Sequence, residues 1–105
     1  MATNSDIISQ LEASKKVFED KCNSTGDDDL RDKLTTAIDN ITDEIGDLVN
    51  KVLTDAYTPA TDPFKNDIEA GQNFLKTLRK IKTAVEIADD VARAADTVIK
   101  IISKL

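Results

Sequence analysis

Any chemistry in this chain would have to come from carboxylates and one thiol. Its 105 residues include twenty Asp and Glu and a single Cys, and no His. Losing histidine removes the commonest general base and the commonest transition-metal ligand. Neither a Ser-His-Asp triad nor a Cys-His pair can be assembled. The lone thiol, Cys22, cannot make a zinc site, and it falls on an apolar helical line, so it reads as a buried structural cysteine. Gly26-Asp27-Asp28-Asp29 hints at calcium, but the ligand spacing of an EF-hand and its closing Glu are missing. Those three acids read instead as the first turn of a helix, where carboxylates meet the positive end of the helix dipole. Asp43, Glu44 and Asp47 lie close together on one helix, yet a di-iron site also needs Glu-x-x-His pairs from other helices. No glycine-rich phosphate loop is present. The expectation is a protein without catalytic residues, metal or cofactor.

Charge narrows the partners. The net charge is −6, and residues 27–56 hold nine acids against three bases. An acidic chain is repelled by phosphate backbones, which argues against nucleic acid. The basic cluster Lys76, Arg79, Lys80, Lys82 could meet phosphate or lipid headgroups, but pairing with the acidic helix before it is the simpler reading. A single cysteine excludes an internal disulfide and suits a reducing compartment. Residues Met1–Ile8 show neither the basic nor the apolar part of a signal peptide, so a cytoplasmic protein is expected, unless Met1 replaces a leader already removed. The sequons at Asn23 and Asn40 then read as chance matches.

The elements that must position these residues are helices. Apolar residues make up 40% of the chain and charged ones 32%, with only three Gly and two Pro, too little turn chemistry for a β-protein. One domain over residues 1–105 is expected. A first helix runs from about Ser5 to Cys22, capped by Asn4 or Ser5, with Ile7, Leu11, Phe18 and Cys22 on one face. A turn at 23–26 leads to a second helix from about Asp27 to Ala56. Its seam, Leu30, Leu34, Ile38, Ile41, Ile45, Leu48 and Val52, becomes a heptad repeat from Leu34 onward. After Pro59, Asp62-Pro63 resembles an N-cap with proline at the first helical position. From there no proline interrupts the pattern to Leu105. The expected fold is all-α: an antiparallel helical bundle of three long helices, the last about 40 residues and ~60 Å long. The alternative is a four-helix bundle with a break near Thr83, where Thr83-Ala84-Val85-Glu86 matches a capping box.

A continuous third helix creates a problem. With the second turn near residues 59–60, Lys76, Arg79 and Lys80 fall level with Asp43, Asn40 and Asp39. Residues 93–105 then project beyond their own bundle, although they are apolar. Numbered as a heptad from Val85, four rows are apolar: Val85, Ala92, Ile99; Ala88, Ala95, Ile102; Val91, Val98, Leu105; and Ile87, Ala94, Ile101. That arc spans roughly 160°, more than one partner helix covers. Left in water it would promote aggregation. The functional expectation is a non-enzymatic protein–protein interaction module that self-associates, as a dimer or higher, or binds another helical protein. The interface would be Ile87, Val91, Ala94, Ala95, Val98, Ile99, Ile101, Ile102 and Leu105. The alternative is a membrane-active or membrane-docking protein using residues 85–105. It is less favoured because acids alternate with bases on the polar face and no aromatic follows Phe74.

Overall fold

The computed structural model describes residues 2–65, 70–84 and 89–103. They form four helices: α1 (Asn4–Ser24), α2 (Asp28–Leu48), α3 (Ala70–Ala84) and α4 (Asp90–Ser103). α1 packs on α2 and α4, and α3 packs on the same two, so the helices close into a ring around one core. Among the described residues there is no strand, only an isolated bridge between Thr3 and Ala56.

The N-cap of α1 is set locally. Thr3 takes that place: the hydroxyl accepts from Asp6 N at 3.2 Å, and the Asp6 carboxylate accepts from Thr3 N at 3.0 Å. This reciprocal box satisfies donors that the helix itself leaves open. The Thr3 backbone N–H, and then its hydroxyl, hold the Asp6 carboxyl below the usual carboxylate range. Ile7, Leu11, Ser14 and Phe18 are buried on the inner line. Cys22 is only half-buried, with Sγ 3.7 Å from Thr35 Oγ1.

The acids at the start of α2 do what their position suggests. Asp27 is the N-cap, its Oδ1 accepting from Asp29 N at 3.0 Å and Leu30 N at 3.2 Å. Leu30, Leu34, Ala37, Ile41 and Leu48 face the core, with Ile38 and Ile45 half-buried beside them. α2 then stops at Leu48, a full two turns before the expected Ala56. Val52, expected on the seam, stands 61% exposed.

The expected single helix over 63–105 is replaced by two. Lys82 Nζ lies 3.1 Å from Asp96 Oδ1. In a continuous helix fourteen residues would separate these positions by ~21 Å, so the chain reverses between them. The longest dimension of the molecule, 40 Å, is likewise too short for the long helix. The break follows Ala84, next to the suggested capping box, but the cap that starts α4 is Asp89, whose Oδ1 accepts from Val91 N at 2.8 Å. Residues 85–88, including the rest of that box, lie outside the described residues. The expected start at Asp62-Pro63 is also revised. Thr61 opens a single turn, its carbonyl accepting from Phe64 N at 3.1 Å and Lys65 N at 2.9 Å. Phe64 is fully buried and meets Phe74 of α3 edge-on, with ring centroids 5.5 Å apart.

Candidate functional site

The apolar face expected to project from the bundle lies inside it. Val91, Ala94, Ala95, Val98, Ile101 and Ile102 are buried, and Ile99 is half-buried against the same core. Ile87 and Leu105 lie outside the described residues. The wide arc has two neighbours as its width demands, and they are α1 and α3 of the same chain. The basic cluster on α3 also departs from expectation. Among the described residues, none of Lys76, Arg79 and Lys80 forms an ion pair with α2. Lys82 instead reaches Asp96 on α4, and the Lys100 and Lys82 hydrogen bonds hold the Asp96 carboxyl below its usual range. Lys80 acts at a distance on Asp29, whose carboxyl is lowered chiefly by its bond to Lys33. The register of α2 against α3 is therefore shifted from the one a turn at 59–60 implies, because residues 49–65 form a long non-helical connection.

That connection holds the most unusual chemistry of the chain. Glu44 occupies a core position of α2, three residues after Ile41 and four before Leu48, and is fully buried. No cation pairs with it among the described residues. Its Oε1 accepts from Thr61 N at 2.9 Å and Thr61 Oγ1 at 2.7 Å; its Oε2 accepts from Tyr57 Oη at 2.8 Å and Ala60 N at 3.0 Å. Four donors from one five-residue stretch thus replace the water that the carboxylate gave up. Burial, and then the bond to Glu44, push the Tyr57 phenol above its ordinary range. This group is a fastener: every lone pair that points into the loop is already used.

The other side of the connection is fixed to α1. Asn4 N donates to Asp55 O at 2.9 Å, Ser5 N to Leu53 O at 3.0 Å, and Tyr57 N to Ala2 O at 2.9 Å. The buried Asn4 side chain donates from Nδ2 to Val52 O at 2.9 Å. With Asp6 N on the Thr3 hydroxyl and Thr3 N on the Asp6 carboxylate, all four open donors of the first turn of α1 are satisfied. Held between Glu44 and α1, this segment presents Val49, Val52 and Leu53 to solvent at 55%, 61% and 45% exposure. They are the large hydrophobic side chains that the described structure leaves exposed.

A shallow cleft of about 210 Å³ lies between α1 and α4, lined by Val17, Asp20, Lys21, Ser24, Asp90 and Val91. Small-molecule pockets usually hold 300–1,000 Å³, and Lys21 at its rim is drawn to Asp89, 3.9 Å away. Among the described residues no three His, Cys, Asp or Glu side chains gather as a metal site would require. No described helix is long and apolar enough to cross a membrane. Comparison with protein-family models, curated proteins and solved structures found no match.

Sequence reasoning takes Asn4 or Ser5 as the cap of α1, where Thr3 serves, names Glu44 only as one of three clustered acids, and gives Tyr57 and Thr61 no role. One signal was available for Glu44. It sits on the three-four line of Ile41 and Leu48, and Tyr57 and Thr61 supply hydroxyl donors shortly downstream.

Proposed function

We propose that this chain is a non-enzymatic protein–protein interaction module whose contact surface is the rigid apolar tip Val49, Val52 and Leu53. One observation carries the reading. The backbone of this segment caps α1 through the carbonyls of residues 53 and 55, and that of residue 52 holds the Asn4 side chain. A carbonyl serves that purpose whatever side chain it bears, so the cap places no demand for Val and Leu at 52 and 53. Leaving them in water forgoes burial worth roughly 1.5–3 kcal/mol for each side chain. A partner that covers them recovers it, and the hydrogen-bonded clamp keeps the ordering cost of that encounter low.

Charge complementarity specifies the partner. Asp43, Asp47 and Asp55 are exposed on the stretch of chain that carries the tip, with Lys51 the one base between residues 43 and 55. The fitting surface has apolar side chains ringed by Lys or Arg, as on a cationic amphipathic helix. Titration of the labelled protein with a synthetic Leu/Lys amphipathic peptide, followed by amide chemical shifts, tests the reading. The expected shifts centre on residues 49–53 and disappear in a Val52→Ser/Leu53→Ser variant whose helical signal is unchanged. A Leu/Glu peptide of equal hydrophobicity should not bind. Shifts that follow the acids of α2 and persist in the double variant would reduce the contact to charge attraction and overturn the assignment.

A further inference from the structure

The three connections of the bundle are secured very differently. Between α1 and α2, Thr25-Gly26-Asp27 supplies turn chemistry, with the Thr25 hydroxyl accepting from Asp27 N at 3.2 Å and Asp27 capping α2. Between α2 and α3, Glu44 holds residues 57–61 through four donors. Between α3 and α4 the sequence from Val85 to Ala88 is Val-Glu-Ile-Ala, without Gly, Pro, Asn or Asp, and the one cap among the described residues is Asp89 at the start of α4. Its apolar residues continue the helical rows of both flanking helices. Local preference here opposes the reversal that the 3.1 Å approach of Lys82 to Asp96 demands.

The unit beyond this conflict is α4, at the end of the chain. Seven of its residues are buried, and its neighbours are α1 and α3. Its ion pair to α3 joins Lys82 to Asp96, and Asp89 at its N-cap approaches Lys21 of α1. Each of these contacts can be made equally well by the α4 of a second copy.

We infer that two copies of this chain exchange α4, each donating it to the cleft between α1 and α3 of the other while its chain runs from α3 into α4 without reversing. This dimer is distinct from binding at the apolar tip and does not depend on it. Exchange conserves every contact of α4 and removes the unfavoured reversal, so concentration and the hinge sequence set the balance between closed monomer and dimer. It also places the apolar face of α4 at a subunit interface without exposing it to water.

The test uses the full chain, refolded from denaturant at high concentration as an equal mixture of ordinary and ¹⁵N-labelled protein. Size exclusion with light scattering separates monomer from dimer, and a zero-length carbodiimide reagent then links amines to carboxylates in contact. In the exchanged dimer Lys82 and Asp96 belong to different chains, so about half of the Lys82–Asp96 links join a light to a heavy peptide. Lys100, 3.1 Å from the same Asp96 within α4, is the internal control: its links stay within one label. Insertion of Gly-Asn-Gly between Ile87 and Ala88 eases the reversal and should weaken the dimer by roughly tenfold or more. A chain that stays monomeric up to ~1 mM after refolding, or a dimer whose Lys82–Asp96 links all lie within one label, overturns the inference.

Discussion

Replacing Glu44 by alanine isolates the element on which the long connection depends. The carboxylate is fully buried and accepts from four donors. In Glu44→Ala the hydroxyls of Tyr57 and Thr61 can rotate toward water or other acceptors, since both residues are only half-buried. The amides of Ala60 and Thr61 cannot turn. Each unsatisfied amide costs about 1 kcal/mol at the lower end of the range for buried groups. One methylene leaves the core as well, at about 0.8 kcal/mol before any cavity cost. The expected loss is therefore about 3 kcal/mol, a large part of the 5–15 kcal/mol typical of a small domain. With a urea slope of 1–3 kcal/mol per molar, the unfolding midpoint falls by about 1 M or more. Circular dichroism at 222 nm follows the global transition. Tyr57, the one tyrosine in a chain without tryptophan, reports the connection itself. Glu44→Gln keeps the volume and one acceptor oxygen for the two amides, and turning the phenol lets it accept from the new amide; the expected cost is about 1 kcal/mol. Asp43→Ala, one residue away and exposed, should change stability by under about 0.5 kcal/mol. If Glu44→Ala matches the Asp43→Ala control, the carboxylate is not the fastener of the connection and the reasoning fails.

Two further expectations follow from the same region. Phe64→Ala removes a fully buried ring and its edge-on contact with Phe74, and should cost about 3–5 kcal/mol by urea unfolding; a loss under about 1 kcal/mol would mean that α3 is seated without it. The raised phenol of Tyr57 predicts an alkaline weakness. The folded state favours the neutral phenol, so its contribution is intact below the unfolded value near 10 and is lost as pH rises through the folded value. Stability measured at pH 8 and pH 11 should fall further in wild type than in Tyr57→Phe, and phenolate absorbance should appear together with unfolding. A phenolate that titrates near pH 10 while the helical signal stays native would count against the burial of this hydroxyl.

The all-helical character was legible because it rests on local signals. The acids at 27–29 mark the start of α2, and Leu34, Ile41 and Leu48 do face the core. The end of α2 was not legible. Val52 fits the heptad as well as Leu48 does, and nothing nearby tells them apart. The difference is made some 48 residues away, where the open donors of α1 recruit the carbonyls of residues 53 and 55 and the Asn4 side chain that of residue 52. Two more turns of α2 compete with the cap of α1, and the cap wins. Glu44 was hidden for a related reason. A carboxylate on a core line looks like an exception until its donors are known, and those donors sit on a connection whose path no local pattern describes. The reversal between α3 and α4 was legible only as the alternative of a break near Thr83, because hydrophobic periodicity is blind to direction. The rows read the same whether the helix continues or folds back with its face still inward. The width of the arc pointed correctly to two neighbours for α4, and of the expected arrangements only the four-helix alternative takes them, α1 and α3, from the same chain.

The buried carboxylate also determines which part of the bundle can be exchanged. Two units could in principle leave together, α4 alone or the α3–α4 pair. Releasing the pair would pull on residues 57–61, and so on four hydrogen bonds to a charge that has no other partner in the described structure. Once opened, that charge would remain in an apolar seam between Ile41 and Leu48 until water reached it, a far greater cost than the loss of neutral bonds. Releasing α4 alone strains no such group. Its cap, Asp89, lies on the helix that moves, and its ion pairs to Lys21 and Lys82 are surface contacts of small worth. Glu44→Gln should therefore loosen the α2–α3 connection and leave the Lys82–Asp96 exchange pattern unchanged. If the folded variant still formed a dimer but its Lys82–Asp96 links all lay within one label, loosening the connection would have moved the hinge there; if it formed no dimer, exchange of α4 would depend on Glu44 and the reasoning would fail.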